Sequence, residues 1–202
     1  FGRCEISALA ALAEYLDLTQ KGNLPLLRPP VREALGGAME IDATTRRSLE
    51  LTHAMGGGRQ GSLLAAIDRT VTAAGARLLE RRLAAPSRRL ETILARADAV
   101  AALVKDAGLR TMLRETLRGA HDLDRALSRL ALDRGGPRDL TAIRDTLAEA
   151  ARLAARLDKA ELPTALDEAR AALTGHEDLS ALLEAALVAE PPLLARDGGF
   201  VA

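Results

Sequence analysis

Apolar residues recur in steps of four and three along the second half of the chain, and this spacing constrains the fold more than any other feature. One series is Leu90, Leu94, Ala97, Ala101 and Val104. A second series is Leu140, Ile143, Leu147, Ala150, Ala154 and Leu157. Such spacing keeps one narrow stripe of each helix against a partner helix. It predicts two long helices, at Arg88–Lys105 and Pro137–Leu157, that pack lengthwise.

Composition agrees with a helical fold. Ala, Leu and Arg dominate, and all three are strong helix formers. Signals for strands are nearly absent, and the best candidates for extended chain are Leu24–Pro30 and Ala38–Ile41. The sequence therefore predicts an all-α chain, an elongated multi-helix scaffold with a few short extended segments.

Capping residues place the shorter helices. Asp42, Ser62, Thr72 and Asp178 each precede a helical stretch and carry an oxygen that can accept from free backbone N–H groups. The first of these helices is expected to run from Ala43 to about Ala54 and to stop at the following glycines. Further boundaries are expected before Pro86, at Glu161-Leu162-Pro163, and before Pro191. Within the long helix, Ile143 is expected in the seam and Arg144 on the next face, where substitutions cost little.

Charge and cysteine content limit the function classes. The 28 Lys and Arg residues balance the 28 Asp and Glu residues, so this chain lacks the basic excess of a stand-alone nucleic-acid binder. We expect weak DNA binding or none from this chain alone. The single cysteine, Cys4, excludes an intramolecular disulfide. No apolar run is long enough to span a membrane. From the appearance of both ends, we expect this chain to be a piece of a longer protein.

No catalytic constellation is recognisable in the sequence. The loop from Gly56 to Ser62 has Walker-like glycine spacing, but a serine stands where the phosphate-holding lysine is required. A helix-to-helix connection is the simpler interpretation. The three histidines are far apart and none lies in a metal-binding motif. We therefore expect no catalytic, cofactor-binding or metal-binding residue here.

A local group of arginines has two interpretations. Its members are Arg118, Arg125, Arg129, Arg134 and Arg138. They could contact DNA phosphates, or they could pair with Asp122, Asp124, Asp133 and Asp139, which are interleaved with them. Interleaved charges of opposite sign weaken the field that a polyanion would feel, which favours pairing. Arg46 and Arg47 have the same two interpretations, with a structural ion pair between helices as the favoured one.

The segment MEIDATTRRSLELTHAMGGGRQGSLLAAIDRTVTAAGARLLERRLAAP, from Met39 to Pro86, resembles the start of the core domain of MutS-family DNA mismatch-repair proteins. The later segment HDLDRALSRLALDRGGPRDL resembles a second stretch of that domain. Arg82 and Ala74 depart from the family, in which many members carry a Trp and a Met. The matching residues that we single out, all as structural signature positions, are Asp42, Arg46, Arg47, Asp68, Thr70, Thr72, Gly75, Arg77, Pro86, Asp122, Arg125, Arg129, Pro137, Arg138 and Asp139.

The resemblance implies an organisation and a role. Residues 1–30 would be the end of a connector domain and a strap, and residues 31–202 a core (lever) domain that ends where a DNA clamp begins. The chain would be a non-enzymatic lever that couples the clamp to an ATPase domain. The full-length protein would use ATP and Mg, and would meet mismatched duplex DNA, a second subunit and MutL in the cytoplasm, near the nucleoid. Two alternatives stay open: a helical protein-interaction scaffold, or the core of a paralogue that does not act in mismatch repair.

Overall fold

A computed structural model describes residues 1–21, 27, 29–32 and 37–202 of the 202-residue chain. The described part is all-α, as predicted. Its helices, in chain order, are α1 (Arg3–Gln20), α2 (Ala43–Ser48), α3 (Leu63–Ile67), α4 (Ala73–Ala84), α5 (Leu90–Lys105), α6 (Ala107–Arg118), α7 (Leu123–Ala131), α8 (Pro137–Leu157), α9 (Thr164–Ala171) and α10 (Glu177–Ala186). A 3-10 turn follows at Ala195–Asp197.

The main core forms where α7 and α10 pack on α8. Ala126, Ile143, Leu183 and Leu187 are buried together there, and Phe200 packs against them from the end of the chain. The stripe predicted for α8 is confirmed, because Ile143, Ala154 and Leu157 are buried. Pro137 occupies the first helical position, where its missing N–H costs no hydrogen bond.

The prediction that α5 and α8 pack lengthwise on each other is wrong. The principal neighbours of α5 are α6 and α9, and those of α8 are α6, α7, α9 and α10. The predicted stripe of α5 faces outward, with Leu90 62%, Leu94 53% and Val104 70% exposed. The half-buried residues of α5 lie on its other side and are Thr92, Ala95, Arg96, Ala99, Ala102 and Leu103. The apolar spacing therefore does not mark the face of α5 that this chain covers.

Three of the four predicted caps are confirmed. Asp42, Ser62 and Thr72 each accept from a backbone N–H in the first turn of α2, α3 and α4. The fourth is wrong, because α10 begins at Glu177 with His176 at the cap position. The reason is local: Gly175 adopts φ +86°, which reverses the chain, and its N–H donates to a Glu177 carboxylate oxygen at 3.1 Å.

Helix α2 is shorter than predicted, ending at Ser48 rather than near Ala54. Glu50 has a left-handed backbone with φ +47°, which breaks the helical path. The break is held because the carbonyl oxygens of Glu50 and Leu51 accept from the N–H groups of Leu63 and Leu64, both at 2.9 Å. Leu64 is fully buried beneath this turn.

Extended chain is limited to short pairings in the described residues. Ala38 forms an antiparallel bridge with Ser87, within the extended piece predicted at Ala38–Ile41. Leu187 pairs with Val201 in the same way, which closes the loop that follows α10. The other predicted piece, Leu24–Pro30, falls largely outside the described residues.

The chain is open rather than compact. Its accessible surface is 14685 Å². A compact monomer of 21.4 kDa would expose about 9100 Å² by the usual scaling. Helix α1 illustrates the difference, since none of its residues is buried. Its Glu5 pairs with Arg32, which also lies over the ring of Phe1.

Candidate functional site: an arginine–aspartate junction

The signature residues between α3 and α4 build a tight turn. The Asp68 carboxylate accepts from the backbone N–H of Thr70 at 3.0 Å and from its hydroxyl at 2.7 Å. These bonds, the hydroxyl first, lower the pKa of Asp68. Thr72 then caps α4 by accepting from the Gly75 N–H at 3.0 Å. A Cβ at Gly75 would lie 2.8 Å from the capping oxygen of Thr72, so the cap requires a glycine there.

Arg77 connects α4 to α7 through the centre of the site. Its guanidinium donates two hydrogen bonds to the Asp122 carboxylate, at 2.9 and 2.7 Å, and it lies 3.7 Å from Asp124. Asp122 also caps α7 by accepting from the N–H of Arg125 at 3.3 Å. The Arg77 side chain lowers the pKa of Asp122, and Asp122 in turn raises the pKa of Arg77. We call this pair, with the α7 cap, the arginine–aspartate junction.

Two further contacts attach the neighbouring helices to the junction. Arg114 of α6 donates to the carbonyl oxygen of Arg69, in the turn before α4, at 2.8 Å. The N–H of His121 donates to the hydroxyl of Thr146 on α8 at 3.3 Å, and Thr146 is buried. Helices α4, α6, α7 and α8 therefore meet around residues 68–77 and 121–125.

The α7–α8 turn holds a second signature pair. Arg129 donates to Asp139 at 3.1 Å and, through its other nitrogen, to the carbonyl oxygen of Arg134 at 3.2 Å. Asp139 also accepts from the N–H of Gly136 at 2.8 Å, which caps α8. Pro137 is fully buried in this turn. The turn therefore fixes the angle between α7 and α8.

The signature residues near α2 have local partners. Asp42 accepts from the Thr45 hydroxyl at 2.6 Å and from its N–H at 2.9 Å, which lowers the pKa of Asp42. Arg46 donates to the carbonyl oxygen of Ile41 at 3.1 Å. Within the described ranges, neither Arg46 nor Arg47 forms the predicted ion pair between helices. Pro86 accepts from the N–H of Met39 at 2.7 Å and so anchors the extended segment.

The arginine group at 118–138 pairs only in part as expected. Arg129 pairs with Asp139, but Asp122 pairs with Arg77, which precedes it by 45 residues. For the part of the chain that the structure covers, Arg118, Arg125, Arg134 and Arg138 form no ion pair. Sequence proximity pointed to the wrong partner for Asp122, since only the fold brings α4 beside α7.

Arg144 departs from its predicted place. Its side chain is 11% exposed, pairs with Asp145 at 2.9 Å and approaches Glu184 of α10 at 3.5 Å. It also donates to the carbonyl oxygen of Val188 at 3.3 Å. The helical spacing placed this arginine on an outer face, but α10 and the segment after it cover that face.

The glycine loop is closed on itself. The N–H of Met55, directly before the loop, donates to the Glu50 carboxylate at 2.6 Å. The N–H groups of Gly57 and Ser62 donate to carbonyl oxygens of Ala54 and Arg59. Across residues 1–21, 27, 29–32 and 37–202, no group of His, Cys, Asp and Glu is arranged to hold a metal ion. Those residues also contain no helix long and apolar enough to cross a membrane.

The chain is similar to known proteins over its full length. Residues 44–202 match the family model MutS domain III. The chain is 66% identical to the DNA mismatch repair protein MutS of Paracoccus denitrificans, 61% to that of Cereibacter sphaeroides and 59% to that of Ruegeria pomeroyi. Each match covers 100% of this chain and 23% of the relative, so the chain spans less than a quarter of the relatives' length. The chain belongs to the MutS family of DNA mismatch-repair proteins, and its residues 44–202 are a MutS domain III.

Proposed function

We propose that this chain is the non-enzymatic lever of a mismatch-recognition ATPase, and that it couples a DNA clamp to the ATPase domain. Coupling of this kind is a free energy shared between two sites through an element with two arrangements. The lever must therefore hold its own shape while it moves as a unit.

The observation that carries the proposal is the arginine–aspartate junction. Arg77 and Asp122 fasten α4 to the first turn of α7, and the α7–α8 turn is fastened in turn by Arg129 and Asp139. Helix α8 then extends for 21 residues, about 31 Å at ~1.5 Å per residue. These contacts form a continuous path from α4 through α7 to α8, along which we propose that a displacement of α4 is passed on.

Most of the signature residues contribute caps, turns and ion pairs within the chain, whereas the Arg47, Arg125 and Arg138 side chains form no ion pair in the described residues. This use suits a mechanical part, since a catalytic part would leave such groups free to contact a substrate. In the full-length protein we propose that ATP and Mg are bound elsewhere, and that mismatched DNA, a second subunit and MutL are partners of the assembled protein. This chain contributes the connection, in a cytoplasmic, nucleoid-associated protein.

The test uses the full-length protein with Arg77→Ala. We expect basal ATP hydrolysis to stay near the wild-type rate, because the junction lies outside any nucleotide site. Stimulation of hydrolysis by mismatched DNA should fall by roughly fivefold or more, the lower end of usual coupling strengths. Steady-state ATPase rates with and without a mismatched duplex measure both quantities.

Arg59→Ala is the matched control. Arg59 also pairs with a carboxylate, that of Glu80 at 3.2 Å, and its side chain is exposed to about the same extent as that of Arg77, but Arg59 makes a single hydrogen bond where Arg77 makes two. This variant should keep wild-type stimulation. Equal stimulation in both variants and the wild type would refute the coupling role of the junction, and lost basal activity in Arg77→Ala would place Arg77 in the ATPase itself.

A further inference from the structure

The segment that follows α10 forms a loop whose two ends are fastened to each other. An antiparallel bridge joins Leu187 to Val201, and two backbone hydrogen bonds, at 3.1 and 3.0 Å, lie on either side of it. Residues 193–199, at the far end of the loop, are exposed. We call residues 188–200 the α10 loop and the bridged residues at its base the neck. The neck brings the chain back beside the end of α10, where the loop began.

Arg144 of α8 holds the neck from the side. Its guanidinium is largely buried and donates to the Val188 carbonyl oxygen at 3.3 Å. The same group pairs with Asp145 at 2.9 Å and approaches Glu184 of α10 at 3.5 Å. The planar fork of an arginine suits this place, because it can donate to several acceptors in a fixed geometry. One side chain therefore ties α8, α10 and the first residue of the α10 loop together.

The second strand of the neck is held by packing. Phe200 lies against the buried cluster around Ile143, and its carbonyl oxygen accepts from the N–H of Val188 at 3.1 Å. Arg144 follows Ile143 directly, so one turn of α8 contacts both strands of the neck. Because the two strands are bonded to each other, a contact that fixes Val188 also restrains the chain from Phe200 onward.

We infer that Arg144 is a positioning residue, which through the neck fixes the direction of the chain at Ala202. The inference rests on the proposed function, in which a DNA clamp follows this residue. It extends the coupling path, because the contacts from Arg77 to Asp139 end at the start of α8 and Arg144 connects α8 to the neck. Loss of its hydrogen bond should loosen the neck and leave the cluster around Ile143 packed.

The test uses the full-length protein with Arg144→Met, which keeps most of the packing volume and removes the hydrogen-bond donors. Hydrogen exchange followed by mass spectrometry reports on the neck through peptides that cover residues 186–202. We expect their protected amides to exchange roughly tenfold faster or more, because a bond from a charged donor is lost and the neck opens locally. Peptides from α7 and from the first half of α8 should exchange as in the wild type.

A second measurement separates positioning from stability. The dissociation constant of a mismatched duplex is determined with and without saturating ATP, and the ratio of the two constants is compared with that of the wild type. A residue that only stabilises the fold leaves this ratio unchanged in folded protein, whereas a positioning residue changes it. We expect the ratio in Arg144→Met to move towards one.

Arg152→Met is the matched control. Arg152 lies about two turns further along α8 and pairs with Glu149 at 2.6 Å, but its side chain is exposed. This variant should leave both the exchange at the neck and the ratio of dissociation constants at their wild-type values.

Three results in Arg144→Met overturn the inference. They are unchanged exchange at the neck, faster exchange throughout α8 and α10, which marks a general loss of stability, and a loosened neck with a wild-type ratio. Arg77→Ala in the same assay keeps the two proposals apart. A ratio near one in Arg77→Ala with a wild-type ratio in Arg144→Met refutes this inference alone, and a wild-type ratio in both refutes the proposed function as well.

Discussion

Ile143→Ala tests whether the buried cluster between α7, α8 and α10 is the centre of stability. Ile143 is 6% exposed and packs in one cluster with Ala126, Leu183 and Leu187. Removing three carbon groups forfeits about 2.4 kcal/mol of transfer free energy at ~0.8 kcal/mol each. The space left adds a cavity penalty, so we expect a total loss of about 3 kcal/mol.

The neighbours of Ile143 explain why the cavity should persist. They belong to α7, to α10 and to the segment that follows α10, and each is held by its own polar contacts. Asp122 caps α7, and Leu187 forms an antiparallel backbone bridge with Val201. Because these elements cannot all move inward together, the site relaxes only in part.

Urea unfolding followed by far-UV circular dichroism measures the loss. The dependence of the unfolding free energy on urea should stay unchanged, which shows that only stability has changed. Leu90→Ala is the control, because Leu90 is 62% exposed and should cost within ~0.5 kcal/mol. Equal losses for the two variants would refute the assignment of the core to α8, because Leu90 would then be as buried as Ile143.

Three further results are expected. Gly135→Ala should lower the free energy of unfolding by about 1–3 kcal/mol through overpacking, because a Cβ there would lie 2.9 Å from the Leu130 Cα. Its control is Gly56→Ala, where a Cβ meets no atom within 4 Å, so this change should be neutral or slightly stabilising. The pKa of Asp122 is lowered in the folded state, so its contribution is present above about pH 4 and is lost as pH falls through the folded pKa; urea melts of Asp122→Asn should therefore approach the wild type at low pH. Small-angle scattering of a verified monomer should give a radius of gyration above the ~17 Å of a compact chain this long, and a value at ~17 Å would contradict the open shape.

Helix α8 shows what could be predicted from the sequence. Pro137 opens it, Leu157 ends it, and its apolar stripe is the buried one. Each of these follows from local chemistry: a proline that suits a first turn, and a spacing that fits one face. The caps at Asp42, Ser62 and Thr72 are predictable for the same reason, since the donor and acceptor lie within four residues of each other.

Helix α5 shows where the same reasoning stops. The stripe spacing is as regular as that of α8, but a spacing reports that a face prefers to be covered and not which partner covers it. In the structure α5 lies against α6 and α9, and its apolar stripe faces outward. The sequence alone therefore predicted a helix correctly and its packing face wrongly.

The candidate site, like the fold, has a part that could be predicted from the sequence and a part that could not. The signature residues could be named from the resemblance, and the α7 cap at Asp122 could be predicted from its place before a helix. The pairing of Asp122 with Arg77 could not, because it depends on how α4 lies beside α7 across 45 residues of chain. Arg144 was misplaced because α10 covers a face that the spacing in α8 alone leaves outside.

The most direct test of the lever measures linkage between nucleotide and DNA in the full-length protein. Dissociation constants for a mismatched duplex are determined with and without saturating ATP, in the wild type and in Arg77→Ala. Coupling between two sites changes both affinities by the same factor. The lever account predicts that ATP changes the wild-type affinity by roughly fivefold or more and that this ratio moves towards one in Arg77→Ala, while the affinity without ATP stays near wild type. An unchanged ratio in a folded Arg77→Ala protein would contradict the claim that the junction carries the coupling.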